Sequence, residues 1–311
     1  MRTVFPRGKD EYFLNKSEAM DFLGALNIEN IKIEPDRLHV SNDGKLIYID
    51  FLDKRIRQLP VRESFLYKLL KWYSFPAHQL RLLDIETVTS LLNDYLLAMK
   101  NKYVNVKIEN GEALTITSER FTEVEDVELL KKINGDSIDS IYFTDYETSI
   151  RTKTQFKVIP FPEDEFGVGL NIVNSETGFK AFQINNYLLR YVCSNGSYVK
   201  DHEDDIKLSH YDLFRQDAFS LLEHKMRSVN DKADQISSKI KAADHVISVE
   251  KIKEVNKEIQ RKLGIELLKG LILSDRQMTM YELFNIITDR AKDFPMYQRI
   301  LLERIGGQLL N

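Results

Sequence analysis

Two groups of residues in this chain have the types and spacing to do chemistry. The first is the single cysteine, Cys193, in "YLLRYVCSNGSYV", between an aromatic run and an Asn-Gly pair. A cysteine nucleophile needs its thiolate stabilised by a paired histidine, another cation or a helix N-terminus. The next histidine along the chain, His202, lies in "KDHEDDIK" among Asp201, Glu203, Asp204 and Asp205, whose charges raise a thiol pKa instead. Two-residue alternation puts Tyr187, Leu189, Tyr191 and Cys193 on one strand face. Cys193 therefore reads as a small core residue at a strand end. The acidic run offers oxygens for a hard cation but no ordered ligand pattern, and it reads as a solvated stretch leading into a helix. No catalytic residue, metal ligand or cofactor is assigned, and the expectation is a protein that is not an enzyme.

The second group is basic. From Lys54 to Lys107 there are ten Lys and Arg against four Asp and Glu, a local charge of +6 in a chain whose net charge is −4. Lys54, Arg55, Arg57 and Arg62 precede a helix on which Lys68 and Lys71 oppose Leu66, Leu69 and Tyr73, with Tyr67 beside them. Ammonium and guanidinium groups track phosphates, and ring faces stack bases without demanding a sequence. These seven residues are the expected contacts for single-stranded DNA, with Tyr67 as the stacker. The same pattern also describes a solvated helix face beside an acidic neighbour. Trp72 and Tyr73 are expected to pack inside.

Other chemistries lack their motifs. There is no Gly-x-x-x-x-Gly-Lys phosphate loop, and Gly167 and Gly169 lack the third glycine of a dinucleotide fingerprint. No Cys-x-x-Cys or His-Glu-x-x-His occurs, so zinc is not expected. One cysteine forms no internal disulfide, which suits a reducing compartment. No apolar run approaches the ~18–20 residues of a membrane span, and "MRTVFPRGKDEYF" lacks the apolar stretch of a signal peptide. No membrane association is expected.

The elements that must position these residues are mixed. "IKIEPDRLHV" and "KLIYIDF" flank a turn at Asp43-Gly44, and "YVNVKIENGEALTITS" turns at Asn110-Gly111. Between them, "RESFLYKLLKWYSF" and "DIETVTSLLNDYLLAMK" have helical period, the latter capped by Asp84, with Pro76 as a break. Further strands surround turn signals at Asp145, at Asn174 to Gly178 and at Asn195-Gly196. After about residue 205 the pattern is helical. Phe219, Leu222, Met226, Val229, Ala233, Ile236, Ile240, Ala243 and Ile247 form a heptad seam. That seam implies a long helix, folded on its own domain or paired with a second copy. Met280, Leu283, Phe284 and Ile287 should be the inward stripe of a terminal cap. The expected fold is α+β: a β-rich segment over 1–60, an α+β body over 61–204 with hairpins and packed helices, and a helical region over 205–311.

The order of several short elements resembles phage and plasmid proteins built on domain of unknown function 932. The quoted elements are Ser118, Arg120 and Phe121; Asn174, Ser175 and Gly178; Arg190, Val192, Cys193 and Asn195; Asn285 and Thr288; and Gly307 to Leu310. The resemblance covers roughly residues 60–311 and implies a phage, prophage or plasmid setting. It implies no defined activity. By fold-level analogy, hairpins alternating with helices resemble the single-strand annealing proteins of phage recombination. The leading expectation is thus a homo-oligomeric protein of the host cytoplasm that binds single-stranded DNA non-covalently and aids annealing or recombination. The alternative is a structural or virion-associated protein acting through contacts with other phage proteins.

Overall fold

The computed structural model describes residues 7, 11–75, 83–100, 102–162, 164–190, 195–199, 205–212, 214–274 and 277–310. Pro76, Cys193 and His202 lie outside the described residues, so the readings made for them stand as expectations.

Strand β1 (Tyr12–Phe13) and helix α1 (Lys16–Gly24) precede a β-rich module. Its elements are β2 (Ile28–Ile33), β3 (Leu38–Val40), β4 (Leu46–Asp50), β5 (Ile56–Pro60), α2 (Glu63–Trp72), α3 (Ile85–Ala98), β6 (Val104–Glu109) and β7 (Glu112–Ser118). β3, β4 and β5 form one antiparallel sheet, and β2, β6 and β7 form another. Asn110 and Gly111 adopt φ of +51° and +81° between β6 and β7, the left-handed pair that matches strand twist in a two-residue hairpin. Asp84 caps α3 by accepting the Thr87 N–H at 2.8 Å. The two helices bury Phe65, Leu69, Leu92 and Leu96 against Ile47, Ile49, Val106 and Ile116. The boundary expected at residue 60 therefore falls inside one core, because β2 pairs with β6 across the intervening meander and helices.

The second unit holds α4 (Asp126–Lys132) and the strands β8 (Ile138–Phe143), β9 (Thr148–Thr152), β10 (Lys157–Phe161), β11 (Asp164–Asn174), β12 (Phe182–Arg190), β13 (Asn195–Val199) and β14 (Ile206–Leu208). They form an antiparallel sheet in the order β1-β8-β9-β11-β12-β13, with β10 also on β11 and β14 also on β12. One face is apolar: Phe166, Val168, Leu170 and Ile172 join Phe182, Ile184 and Leu188 in the main core. The register aligns Ser140, Arg151, Asn171 and Asn185 in one polar row on the other face. Asn195-Gly196, expected at a turn, instead lies in β13, where Asn195 pairs with Arg190.

The helical region comprises α5 (Arg215–Ser228), α6 (Ala233–Ala242), β15 (Val246–Ile247), α7 (Val249–Leu263), α8 (Lys269–Leu273), β16 (Met278–Thr279), α9 (Met280–Arg290) and α10 (Met296–Gln308). The expected long helix is divided. A 3-10 turn over Val229–Lys232 separates α5 from α6, where "VND" is a run of weak helix formers. Its seam residues Leu222, Val229, Ile236, Ile240 and Ala243 are buried in the main core. That apolar stripe is therefore satisfied within the chain, which is the intrachain alternative for the seam. The separate helical core starts later than residue 205, with Ile252, Val255, Ile259, Leu283, Ile287 and Leu302. Leu283, Phe284 and Ile287 point inward as the stripe requires. The fold is α+β, with helices closing the C-terminal end.

Candidate functional site

The expected DNA contacts are placed as follows. Lys54 is exposed in the β4–β5 turn at φ +67°. Beside it, Arg55 pairs with Asp53 at 2.6 Å. Arg57 pairs with Glu29 at 2.6 Å. Arg62, at the start of α2, donates through Nε to Glu112 at 2.9 Å and through Nη1 to Glu109 at 2.8 Å and Asp145 at 2.9 Å. All three arginines are engaged by carboxylates of the same chain.

Only Tyr67, Lys68 and Lys71 are brought together. Their common neighbour is Phe179, whose ring centroid lies 5.9 Å from that of Tyr67, 4.8 Å from Lys68 Nζ and 5.8 Å from Lys71 Nζ. Lys71 is exposed, but Lys68 is 2% exposed. Its ammonium donates to the carbonyls of Thr177 at 3.0 Å and Gly178 at 2.6 Å. Lys68, expected as a phosphate contact, is buried instead, because the β11–β12 turn covers that face of α2. Burial pulls its pKa down to about 7, and Lys71 adds to the drop. Tyr73, expected inside, is 40% exposed beyond the covered stripe.

The Asn174–Gly178 turn is the centre of the site. Gly178 has φ +69°, and a Cβ there would sit 2.8 Å from the Phe121 ring and 2.9 Å from Lys68 Nζ. Asn174 Nδ2 donates to the Val124 carbonyl at 2.6 Å and to Asp126 at 2.7 Å. Ser175 Oγ donates to the Tyr146 carbonyl, and Thr177 Oγ1 to that of Asp145 at 2.7 Å. Glu176 accepts the Asp126 N–H at 2.7 Å and pairs with Lys107, which also pairs with Glu123.

Arg7 completes the arrangement. Its guanidinium is buried, 2.6 Å from Glu109, 3.4 Å from Asp126 and 3.8 Å from Glu176. Glu109 therefore bridges Arg7 and Arg62, and the network runs unbroken from α2 and β6 to the turn. Burial opposes the charge on Arg7, but Glu176, Glu109 and Asp126 hold its pKa above the usual value. Burial pushes Asp126 up to about 7, with Glu176 adding to the rise. Burial likewise raises Asp145 to about 6, against the pull of Arg62. The carboxyls outnumber the cations here, so some hold their protons near neutral pH. Chemically, this arrangement clamps two units of the fold together.

Arg7, Lys107, Glu109, Asp126 and Glu176 were not anticipated. In "VNVKIEN" the alternation marks Lys107 and Glu109 only as facing away from Val106 and Ile108. A distant turn covering that face leaves no local signal. The turn residues Asn174, Ser175 and Gly178 belong to the set that carries the family resemblance, and Phe121 of the same set lies against Gly178. Thr288, also of that set, packs on α10, where a Cβ on Gly306 would sit 2.8 Å from its methyl. Among the described residues, no group of three or more His, Cys, Asp or Glu is arranged to hold a metal ion. No described helix is long and apolar enough to cross a membrane. No family model, curated protein or solved structure matches the chain.

Proposed function

We propose that this chain is a non-enzymatic architectural protein that acts through protein–protein contacts. One observation carries the reading: Arg62 is paired with the buried carboxylates Glu109 and Asp145 and Lys68 is buried against the Thr177 and Gly178 carbonyls, while Arg55 and Arg57 pair at the surface with Asp53 and Glu29. A phosphate drawing Arg62 away would leave Glu109 and Asp145 short of a buried counterion, at a cost that exposed phosphate contacts do not repay. Contact surface is available elsewhere. Ile56 and Leu97 are 64% and 66% exposed and border a groove with His39 and Tyr48 beside β3–β4–β5. The proposed setting is the one the resemblance implies, a phage or plasmid protein in the host cytoplasm or the virion.

The test pairs two measurements. Sedimentation velocity should show concentration-dependent association that Ile56→Asp with Leu97→Asp removes. Anisotropy with a labelled unpaired oligonucleotide should show no binding at low salt. A monomer that binds the oligonucleotide with a steep salt dependence would contradict the proposal.

A second reading keeps single-stranded DNA as the ligand, with a role in annealing or recombination. It is favoured by exposed Lys71 beside Tyr67 and Phe179. It requires that Lys71→Glu, with the clamp intact, abolish binding.

A further inference from the structure

The groove beside β3–β4–β5 carries charge that its own chain leaves unmatched. Asp36, on the 3-10 turn Pro35–Arg37, and Asp50, at the end of β4, both line it and both are exposed. Arg37 lies within electrostatic range of the two acids, but its Nε is bound to Glu34 at 2.7 Å. Among the described residues, neither Asp36 nor Asp50 forms an ion pair. Ile56 and Leu97 supply the apolar wall. The groove therefore suits two side chains together, one apolar and one cationic. A strand does not fit. β3 is an edge strand, yet the Leu38 N–H is taken by the Pro35 carbonyl. Asn93 accepts the Val40 N–H at 2.8 Å and donates to its carbonyl at 2.9 Å. With those edge groups satisfied, the occupant must dock through side chains.

The same surface presents such a pair. The β4–β5 turn begins directly after the Asp50–Ile56 pair that borders the groove. Two hydrogen bonds fix its shape: Phe51 N–H donates to the Arg55 carbonyl at 2.9 Å, and Lys54 N–H to the Phe51 carbonyl at 2.9 Å. At its tip Leu52 is 82% exposed. Lys54 is exposed and forms no ion pair, while its neighbours Asp53 and Arg55 are bound to each other. Within one chain the turn does not fold into its own groove, since both tip residues face solvent. Knob and hole thus lie side by side on one face. Such a face is self-complementary under a two-fold rotation, which carries each turn to the other copy's groove.

We propose that the occupant of this groove is the β4–β5 turn of a second copy of the chain, in a two-fold contact. Leu52 of each copy packs against Ile56 and Leu97 of the other, and Lys54 sits beside Asp36 and Asp50. This rests on the architectural reading and names its partner. A two-fold contact uses both turns and both grooves, so association stops at the dimer.

Sedimentation velocity of the full chain over a concentration series tests this, and it should show monomer and dimer with no larger species. Lys54→Asp, a residue that tolerates the left-handed conformation there, should weaken the dimer by about 10-fold or more at low salt, because acid then meets acid. Asp36→Lys with Asp50→Lys should do the same, and Leu52→Ser should also weaken it. Mixing the two charge-reversed proteins should restore the dimer. In that mixture the altered turn meets the altered groove, and the unaltered turn meets the unaltered groove. A mixture of folded proteins that stays monomeric overturns the proposal, as do species that grow beyond the dimer. If the Asp36→Lys, Asp50→Lys protein does not fold, Lys54→Asp and Leu52→Ser decide. Association that Ile56→Asp with Leu97→Asp removes, but that ignores Leu52→Ser and Lys54→Asp, overturns this proposal and leaves the architectural reading standing. A wild type that stays monomeric throughout overturns both.

Discussion

Replacing Lys68 with Met isolates the most unusual group in the clamp. The ammonium is 2% exposed, and its pKa falls from 10.5 to about 7. In the unfolded chain Lys68 stays protonated up to its ordinary pKa, whereas in the folded chain it loses its proton near 7. Between those limits the unfolded state binds more protons, so wild-type stability rises with pH through that window. At 1.36 kcal/mol per pH unit the ceiling is about 5 kcal/mol. The carbonyls of Thr177 and Gly178 and the Phe179 ring all favour the cation, which brings the working figure to about 3 kcal/mol. Met fills similar space, removes the titration and leaves two carbonyls without a donor. Urea unfolding followed by fluorescence of Trp72, the only tryptophan, gives the difference at each pH. The variant should lie within about 1 kcal/mol of wild type at pH 6 and fall about 3 kcal/mol behind by pH 10. Titrating groups remote from Lys68 cancel in that difference, and His210, whose pKa the Lys68 charge helps to lower, does not. A flat difference with a folded variant would refute the reasoning.

Further substitutions follow from the same geometry. Arg62→Met should cost about 3–5 kcal/mol at pH 8 in urea unfolding, because Glu109 and Asp145 lose a buried partner. Part of that loss should return by pH 5. Asp145 already has its folded pKa raised to about 6, so its stabilising effect is present at low pH and is lost as pH rises through that value. Gly178→Ala should cost about 2–3 kcal/mol by the same assay, since it adds a left-handed alanine and a clash with Phe121. Gly306→Ala should lower stability by about 1–3 kcal/mol, and adding Thr288→Ser, which removes the offending methyl, should recover most of it.

Local patterns carried the elements further than they carried the site. Asp84, the Asn110-Gly111 pair and the stripe of Leu283, Phe284 and Ile287 are set by neighbours a few residues away, and all three were legible. The division into units was not, because β2 and β6 belong to one sheet although two helices separate them in sequence. The heptad seam showed which residues would be buried but not the 3-10 turn at Val229–Lys232. The basic residues were identified correctly by type, and their partners were not. Lys68 meets a turn more than a hundred positions on, at Thr177 and Gly178, and Arg62 meets Asp145. Charge read along a sequence does not reveal a carboxylate delivered by a distant loop. That is why a cationic helix face looked free when much of it is covered.

The decisive measurement is the anisotropy of a labelled oligothymidylate titrated with the full chain at about 20 mM salt, where phosphate contacts are strongest. Arg55, Arg57, Arg62 and Lys68 are engaged by Asp53, Glu29, Glu109, Asp145 and the turn carbonyls, and only Lys54 and Lys71 of the expected cationic contacts are left exposed without such a partner. The protein should therefore give no saturable signal up to about 100 μM, the weak end of non-specific binding. Saturable binding at lower concentration, weakening steeply with added salt and lost in Lys71→Glu, would contradict it.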